Sequence, residues 1–282
     1  MTAVLLGARG QVGRALSRRF PDARALDRTA LDVTDPRAVA AHDWTGVDTL
    51  LNAAAWTHVD AAQDPANLAA VRAVNVDAVG ALAGVARERG ATLVHFSSEY
   101  VFDGSVPGPI PEDAPARPLS VYGQSKADGD RLVTAVDRHL LLRTTWVVGE
   151  GRNFVRTMAA LADRGACPAV VDDQVGRLTF ADDLADAVAH LLAAGAAPGT
   201  YNVTCTGPPA SWADVAAAVF TARGRDPRDV RRVSTAAYSA DQPDAAPRPL
   251  NSVLDLTRLE GTGFRPRDWR AALDGYLAAL PA

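Results

Sequence analysis

The chain has 282 residues, of which 48% are hydrophobic and 22% are charged, and its formal net charge is −4. This length allows one large α/β domain, or a nucleotide-binding domain with a smaller lobe. The acidic balance disfavours a nucleic-acid surface, and two cysteines imply no disulfide framework. The chain has no zinc-ligand spacing, no secretion signal and no apolar run near membrane-span length. We therefore expect a cytoplasmic protein without metal, membrane or nucleic-acid partners.

Strand and helix patterns alternate through the first half of the chain. Apolar runs predict strands over 3–6, 49–51, 92–96 and 139–142, with helices over 12–19, 67–89 and 121–136. The run 92–96 is taken as apolar throughout, as for a strand that is covered on both faces. Repeated alternation predicts parallel strands with right-handed crossovers.

The second half of the chain lacks this regular alternation of strands and helices. Its patterns predict helices over 153–164, 181–194, 211–223 and 268–280, strands over 169–171 and 199–203, and an ordered loop or lid over 234–252. Ser211 is the expected N-cap of its helix. The fold prediction is α/β, a Rossmann-type doubly wound parallel sheet with a smaller C-terminal substrate lobe. The dinucleotide-binding domain is 1–148, joined by helix 181–195, and the lobe is 149–180 with 196–282.

A glycine-rich turn follows the first predicted strand and opens a helix, in the order Gly7-Ala8-Arg9-Gly10-Gln11-Val12-Gly13. Gly7 allows a tight exit from the strand, Gly10 lets the backbone approach a pyrophosphate, and Gly13 allows close helix packing. The helix N-terminus would face the anion. This context predicts a dinucleotide site, although a glycine-rich turn without a ligand has the same pattern.

Acidic and basic residues follow about 20 positions later, after the expected second strand. Asp27 would bind a ribose 2′-hydroxyl, whereas Arg28, with Arg9 from the turn, would bind a 2′-phosphate. Asp32 and Val33 would meet the adenine edge. The pattern favours NADPH, with NADH possible, and the alternative is a solvated surface pair.

The third strand leads into four small or polar residues, Asn52-Ala53-Ala54-Ala55. They leave the strand at its carboxyl end, where ligands bind in open α/β sheets. Small side chains would let this backbone lie against the cofactor, and the alternative is simple close packing.

A Tyr/Lys pair about 110 residues after the glycine turn indicates the chemistry. Tyr122 and Lys126 are four apart, on one face of a helix, where an ammonium would lower the pKa of the phenol. Ser98 follows the fourth strand and would steady a carbonyl oxygen. Together they predict proton donation to a ketone during hydride transfer. The alternatives are a half-buried aromatic residue and an ordinary turn serine.

Several longer blocks resemble the dTDP-4-dehydrorhamnose reductase family of extended short-chain dehydrogenases/reductases. They include Val94-His95-Phe96-Ser97-Ser98-Glu99-Tyr100-Val101-Phe102-Asp103-Gly104, Arg143-Thr144-Thr145-Trp146-Val147 and Arg248-Pro249-Leu250-Asn251-Ser252. The resemblance runs nearly end to end. It implies a Ser98/Tyr122/Lys126 triad that reduces the 4-keto group of a dTDP-linked keto-deoxysugar with NADPH or NADH.

The resemblance also implies residues that bind the substrate. Those expected at the sugar are Thr57, Val59, Glu99, Tyr100 and Trp146, and those expected at the nucleotide diphosphate are Asn153, Phe154, Arg156, Gln174 and Arg248. Arginine side chains suit a diphosphate, and an aromatic face suits a sugar.

The chain departs from the family pattern at three places, all expected on the substrate side: Glu99 for Asp, Leu178 for Pro, and Ala61-Ala62-Gln63 in the loop after the third strand. Ala15 stands where some relatives hold Mg²⁺ at a dimer interface through Glu, so we expect no such metal and a monomer or weak homodimer.

Other activities fit parts of the pattern. One is a ketoreductase for another nucleotide-linked deoxysugar, as in antibiotic biosynthesis, and a second is a non-catalytic NADP-binding regulatory subunit. A dehydratase or epimerase is disfavoured, because dehydratases carry an Asp-Glu pair where this chain has Glu99-Tyr100.

Overall fold

The structure, a computed structural model, describes residues 2–240, 242 and 244–280. Its strands are β1 (Ala3–Leu6), β2 (Arg24–Leu26), β3 (Thr49–Asn52), β4 (Thr92–Ser98), β5 (His139–Thr144), β6 (Val147–Val148), β7 (Ala169–Val171), β8 (Val175–Gly176), β9 (Thr179–Phe180), β10 (Gly199–Asn202), β11 (Ala210–Ser211) and β12 (Arg231–Val233).

The α-helices are α1 (Gln11–Arg19), α2 (Pro36–Ala41), α3 (Leu68–Arg72), α4 (Ala78–Arg89), α5 (Val121–Thr134), α6 (Phe154–Asp163), α7 (Ala181–Ala193), α8 (Trp212–Ala222), α9 (Thr235–Ala240), α10 (Thr257–Gly261) and α11 (Trp269–Ala278). Helix α9 lies inside the predicted loop 234–252, in which Asp241 and Pro243 fall outside the described residues. Ser211 caps α8, as predicted.

Six parallel strands form the central sheet in the order β10-β5-β4-β3-β1-β2. The strands are apolar on both faces because helices cover both. Leu5 and Leu51 pack with α7 on one face, whereas Leu6 and Leu50 pack with α4 on the other. Successive apolar side chains of each strand thus point to opposite faces of the sheet, and both faces are buried, which is typical of a doubly wound sheet. The predicted fold class is confirmed.

The position of β10 corrects the predicted assignment of 196–282 to the smaller lobe. Gly199–Asn202 pairs with β5 as the edge strand of the central sheet, and Tyr201 and Leu259 lie in its core. The strand completes the sheet because it follows directly after α7, which packs against α1. The remaining domain boundaries stay a prediction.

A second core lies outside the sheet. Helices α6, α8 and α11 surround Phe220 and Trp269, both fully buried, with Met158 and Leu273 beside them. Three two-stranded pairs, β7 with β12, β8 with β11 and β6 with β9, frame this smaller lobe. The lobe therefore has its own apolar interior.

The predicted helix 67–89 is three joined pieces, α3, a π-helical turn over Ala73–Asp77, and α4. The helical stretch Pro65–Arg89 is long and apolar enough to cross a membrane by length and composition, which corrects the expectation that no run approaches that length. Its Val79 and Leu82 lie fully buried in the core of the sheet. Burial between protein layers accounts for the apolar composition here.

Candidate active site

The glycine turn lies between β1 and α1, and its backbone is unusually close to the loop after β3. Gly7 has φ 74°, and a Cβ there would lie 2.6 Å from the Ala54 nitrogen. A Cβ on Gly13 would lie 2.1 Å from the Gly7 carbonyl oxygen, so this glycine lets the helix pack against the turn itself.

The N-terminus of α1 has room for an anion. Gly10, the N-cap, supplies no side-chain hydrogen bond, and a Cβ there would meet only the Gly7 oxygen, at 3.5 Å. The first-turn N–H groups of Gln11, Val12 and Gly13 have no partner within the helix. These groups fit the pyrophosphate of a dinucleotide.

Asp27, the acidic residue after β2, is already paired with Arg9 of the glycine turn. Asp27 accepts three hydrogen bonds on Oδ1, from Thr29 and Ala30, and pairs through Oδ2 with Arg9. The Thr29 hydroxyl is the main cause that lowers the pKa of Asp27. Both carboxylate oxygens are therefore engaged, which leaves little acceptor capacity for a ribose hydroxyl.

Arg28 is exposed and contacts Asp32, with 3.1 Å between Nε and Oδ2. The pKa of Asp32 is lowered, chiefly by the Thr34 hydroxyl. Val33 is half-buried and packs against the core beside β2. Exposed cations at this edge suit an additional phosphate group.

The loop after β3 is tied to the fourth strand. Asn52 Oδ1 accepts from the Ala54 N–H at 3.1 Å, and Asn52 Nδ2 lies 3.0 Å from His95 Nδ1. Ala53 hydrogen-bonds the Leu6 oxygen, and Ala55 is exposed. The loop thus connects the glycine turn to β4.

Tyr122 lies in the first turn of α5, close to the turn that follows β4. The Ser120 side chain caps this helix by accepting from the Gly123 N–H. A Cβ on Gly123 would lie 2.2 Å from the Tyr100 oxygen, so only glycine allows the helix to approach this closely. The rings of Tyr100 and Tyr122 meet edge to face, with their centroids 5.4 Å apart.

Lys126 is buried one turn later and reaches β4 rather than solvent. Its Nζ donates to the Phe96 carbonyl at 2.7 Å and lies 3.2 Å from His95 Nε2. Burial lowers the pKa of Lys126 to about 8, and Asp130 opposes this shift.

The expected lowering of the phenol pKa by Lys126 is wrong. Burial raises the pKa of Tyr122, and the Glu99 carboxylate adds to the rise, while the Ser98 side chain opposes it. The physical reason is that burial removes water from the phenolate, and this desolvation is the largest cause of the shift. The phenol therefore keeps its proton.

Ser98 and Glu99 form a buried pair at the end of β4. The Ser98 hydroxyl donates to Glu99 Oε2 at 2.6 Å, and Ser98 Oγ accepts from the Tyr100 N–H at 3.3 Å. Burial raises the pKa of Glu99 to about 7. A carboxyl that is half-protonated near neutral pH thus touches the predicted oxyanion donor.

Sequence reasoning missed His95, which lies between Asn52 and Lys126 and is 1% exposed. The prediction that the run 92–96 is apolar throughout is wrong, because the run contains this residue. Asn52 and His95 are register partners in adjacent strands. Two polar residues near the ends of neighbouring apolar strands are the signal that indicates such a buried pair.

Residues of the predicted sugar site lie partly around Tyr122. Tyr100 packs on Tyr122, and Val59 is half-buried in the same cluster, whereas Thr57 is exposed. Arg248, predicted at the diphosphate, contacts both Asp60 oxygens at 2.8 Å. This contact joins the loop after β3 to the segment between α9 and α10.

A second aromatic group contains Trp146, Trp212 and Phe154. Trp146 stacks on Trp212 with 3.8 Å between centroids, and Phe154 tilts against Trp212 at 4.5 Å. Trp146 has φ 45°, in the left-handed region that bulky residues rarely adopt. Trp212 was not among the predicted site residues.

The other predicted diphosphate residues have structural partners. Asn153 caps α6 and, like Arg156, hydrogen-bonds the Tyr276 hydroxyl. Gln174 is buried and donates to Thr235. Leu178, expected on the substrate side, is instead fully buried in the core of the smaller lobe, which is a correction. An apolar side chain fills that core better than it would line a polar site.

The turn Ala61–Gln63, the third departure from the family pattern, packs beside Tyr122. Ala62 is fully buried in the same cluster as Tyr122. Gln63 Oε1 accepts from the Val121 N–H at 2.7 Å, at the first residue of α5. This turn therefore holds the start of the helix that carries Tyr122 and Lys126.

The family model described as RmlD substrate binding domain matches residues 1–281. The chain belongs to the RmlD substrate binding domain family. The resemblance predicted from the sequence is confirmed, because the match and the relatives below extend over almost the whole chain.

Relatives of this RmlD-family chain carry specific names. It is 41% identical to the probable dTDP-4,6-dihydroxy-2-methyloxan-3-one 4-ketoreductase of Streptomyces antibioticus, over 97% of this chain and 93% of the relative. It is 40% identical to the dTDP-4-dehydrorhamnose reductase of Streptomyces griseus, over 98% of this chain and 93% of the relative. The crystal structure of dTDP-4-dehydrorhamnose reductase from Bacillus anthracis in complex with NADP is 28% identical, with a TM-score of 0.90, and covers 99% of this chain and 100% of that one.

Proposed function

We propose that this protein is an NADPH-dependent reductase of the 4-keto group of a dTDP-linked 6-deoxyhexulose, in nucleotide-sugar biosynthesis. The observation that carries the proposal is the grouping of Ser98, Tyr122 and Lys126 at the carboxyl end of β4. Asn52 and Ala54 connect this group to the glycine turn. A proton donor and a dinucleotide site thus share one edge of the sheet.

The chain's own groups supply the proton chemistry. Tyr122 keeps its proton and donates it to the alkoxide oxygen as the ketone is reduced. When Glu99 is protonated, it can donate to Ser98 and leave the Ser98 hydroxyl free to bond the ketone oxygen. When bound, the reduced nicotinamide supplies the hydride.

The groups around Asp27 support NADPH over NADH, although NADH remains usable. Asp27 is engaged by Thr29, Ala30 and Arg9, whereas Arg28 is exposed and contacts only the partly exposed Asp32 among the described residues. The B. anthracis relative binds NADP. We expect Arg28→Ala to raise the Kd for NADPH several-fold more than that for NADH, as measured by fluorescence titration. Equal weakening of both would count against contact with a 2′-phosphate.

The substrate side supports a dTDP sugar in general and leaves room for a second candidate. The S. antibioticus and S. griseus relatives are named for different keto sugars at nearly equal identity, 41% and 40%. Glu99 in place of the usual Asp lies beside the triad. A ketoreductase for another dTDP-linked deoxysugar of antibiotic biosynthesis is therefore the alternative. We further propose a cytoplasmic monomer or weak homodimer, without nucleic-acid or membrane partners.

The test is oxidation of NADPH by the purified protein with a panel of dTDP- and GDP-linked 4-keto-6-deoxysugars. We expect turnover with at least one dTDP sugar and little with GDP sugars. Binding of NADPH without turnover on any dTDP-keto sugar would contradict the proposal. The pattern among dTDP sugars separates the two candidates.

A further inference from the structure

His95 is a fully buried titratable residue to which the proposed reaction gives no task. One ring nitrogen faces Asn52, and the other faces Lys126. Burial, with the charge of Lys126, holds the pKa of His95 well below its ordinary value, so the ring is neutral and carries one proton. The nitrogen that carries this proton decides what Lys126 meets.

Asn52 determines the position of that proton. The Ala54 N–H donates to Asn52 Oδ1, which turns the Asn52 NH₂ group towards His95 Nδ1. An amide NH₂ group only donates, so Nδ1 has to accept and the proton lies on Nε2. The reverse amide orientation would set two N–H groups against each other at Ala54.

The consequence falls on Lys126. The Nε2–H of His95 points at Nζ, 3.2 Å away, and Lys126 also donates to the Phe96 carbonyl. An ammonium has three donors and no lone pair, whereas a neutral amine can accept one hydrogen bond and still donate. All of these contacts are satisfied together only when Lys126 is neutral.

We propose that Asn52 and His95 disfavour the ammonium form of Lys126 in the ligand-free site, with His95 as a positioning residue for the Tyr122/Lys126 pair. The inference deepens the proposed function and rests on it for its purpose, which is to leave the transferable proton on Tyr122. The hydrogen-bond argument itself needs neither cofactor nor substrate.

Other charged groups face Lys126 and act in both directions. Asp130, one turn along α5, favours the ammonium, but its Oδ2 is paired with Arg143 Nε at 3.2 Å on β5. Glu99 lies near Tyr122 and is half-protonated near neutral pH. Burial of Nζ acts in the same direction as His95, because it disfavours the charged form.

The chain offers a direct measurement, because Lys126 is its only lysine. In full-length protein labelled with ¹³Cε- and ¹⁵Nζ-lysine, NMR gives one lysine side-chain signal. We expect it to titrate at least ~2 pH units below the ordinary value of about 10.4. Titration at the ordinary value would overturn the proposal.

Variants separate the effect of His95 from that of burial. In Asn52→Asp, the carboxylate still accepts from the Ala54 N–H and also accepts from His95 Nδ1–H. His95 Nε2 then becomes an acceptor for the ammonium, so the pKa of Lys126 rises by about 1 unit or more. Asn52→Leu removes the hydrogen bond that fixes the His95 tautomer without adding a charge, and it raises the pKa of Lys126 as well. His190→Asn, which alters a distant histidine bonded to Thr262, is the matched control and leaves it unchanged.

Nitrogen shifts of ¹⁵N-labelled histidine report the tautomer directly, with His95→Phe used to assign the signal. We expect His95 protonated on Nε2 and bare on Nδ1. A proton on Nδ1, or a Lys126 titration that neither Asn52 variant moves, would overturn the inference. All of these measurements use the protein without ligands, so a failed reductase assay would refute the proposed function and leave this result standing.

Discussion

At the scale of single residues, the site depends on where its protons are held. Tyr122 keeps its proton because burial raises its pKa, and Lys126 gives up its proton more readily because burial lowers its own. Ser98 is bonded to a carboxyl whose pKa is about 7. The resting site therefore has a protonated phenol as its general acid.

Replacing Tyr122 tests this role. Tyr122→Phe removes only the hydroxyl, so turnover should fall at least ~10²-fold, the usual contribution of a general acid. The ring keeps its packing against Tyr100, and the Kd for NADPH should change little. Steady-state kinetics and cofactor titration measure both quantities. Near-normal turnover in the variant would refute the assignment.

Glu99 links the site to stability through pH. Its folded-state pKa is raised from 4.5 to about 7, so the folded protein binds more protons than the unfolded chain between these values. The free energy of unfolding therefore falls as pH rises from about 4.5 to about 7, and is level above. Glu99→Gln should gain stability relative to wild type across that window, on the order of 3 kcal/mol in total.

Urea unfolding at pH 5 and pH 8 checks this prediction. The control is Glu88→Gln, the same substitution at an exposed residue on α4. If the Glu99→Gln difference from wild type is independent of pH, the raised pKa of Glu99 is wrong.

Parts of the site could be predicted from residue types and spacing, and parts could not. Tyr122, Lys126 and Ser98 were predicted because each belongs to a local motif. The roles of His95 and Asn52 depend on the register between β3 and β4, which local sequence does not specify. For the same reason the motif gave the Tyr/Lys spacing but the wrong direction for the phenol pKa, since desolvation depends on the whole fold.

At the scale of elements, close backbone contacts place the site. Gly13 brings α1 against the turn, Gly123 brings α5 against the turn after β4, and Gly129 brings α5 against Asn75 of the π-helical segment. The long amphipathic or apolar helices were predicted well. Short α2 and α10 and the π-helical turn were missed, because five or six residues carry too little periodicity.

Gly13→Ala tests the contact at the glycine turn. The new Cβ would lie 2.1 Å from a backbone oxygen that has little freedom to move, so we expect destabilisation of roughly 1–3 kcal/mol. Cofactor affinity should fall with it, since the turn has to shift. The matched control is Gly84→Ala in α4, where no atom lies within 4 Å and helix propensity predicts a gain of about 0.4–1 kcal/mol. Equal stability of the two variants in thermal unfolding would contradict the packing account.

At the scale of the whole molecule, the sheet and the smaller lobe each have a core, and chain order does not separate them. Strand β10 follows α7 onto the edge of the sheet, which the pattern of apolar residues could not reveal. Asp60 and Arg248 connect a loop of the sheet to the lobe segment beside Tyr100. The proposed substrate would lie between these parts, with its keto group at Tyr122.

Transfer of deuterium tests the central claim most directly. NADPH carrying deuterium at both hydrogen positions of the nicotinamide C4 is incubated with the protein and a dTDP-4-keto-6-deoxysugar, and the product is examined by NMR and mass spectrometry. We predict one deuterium, bound to C4 of the sugar, and its loss with the Tyr122→Phe variant. Product without deuterium at C4, or no reduced sugar from any dTDP-linked substrate, would contradict the account.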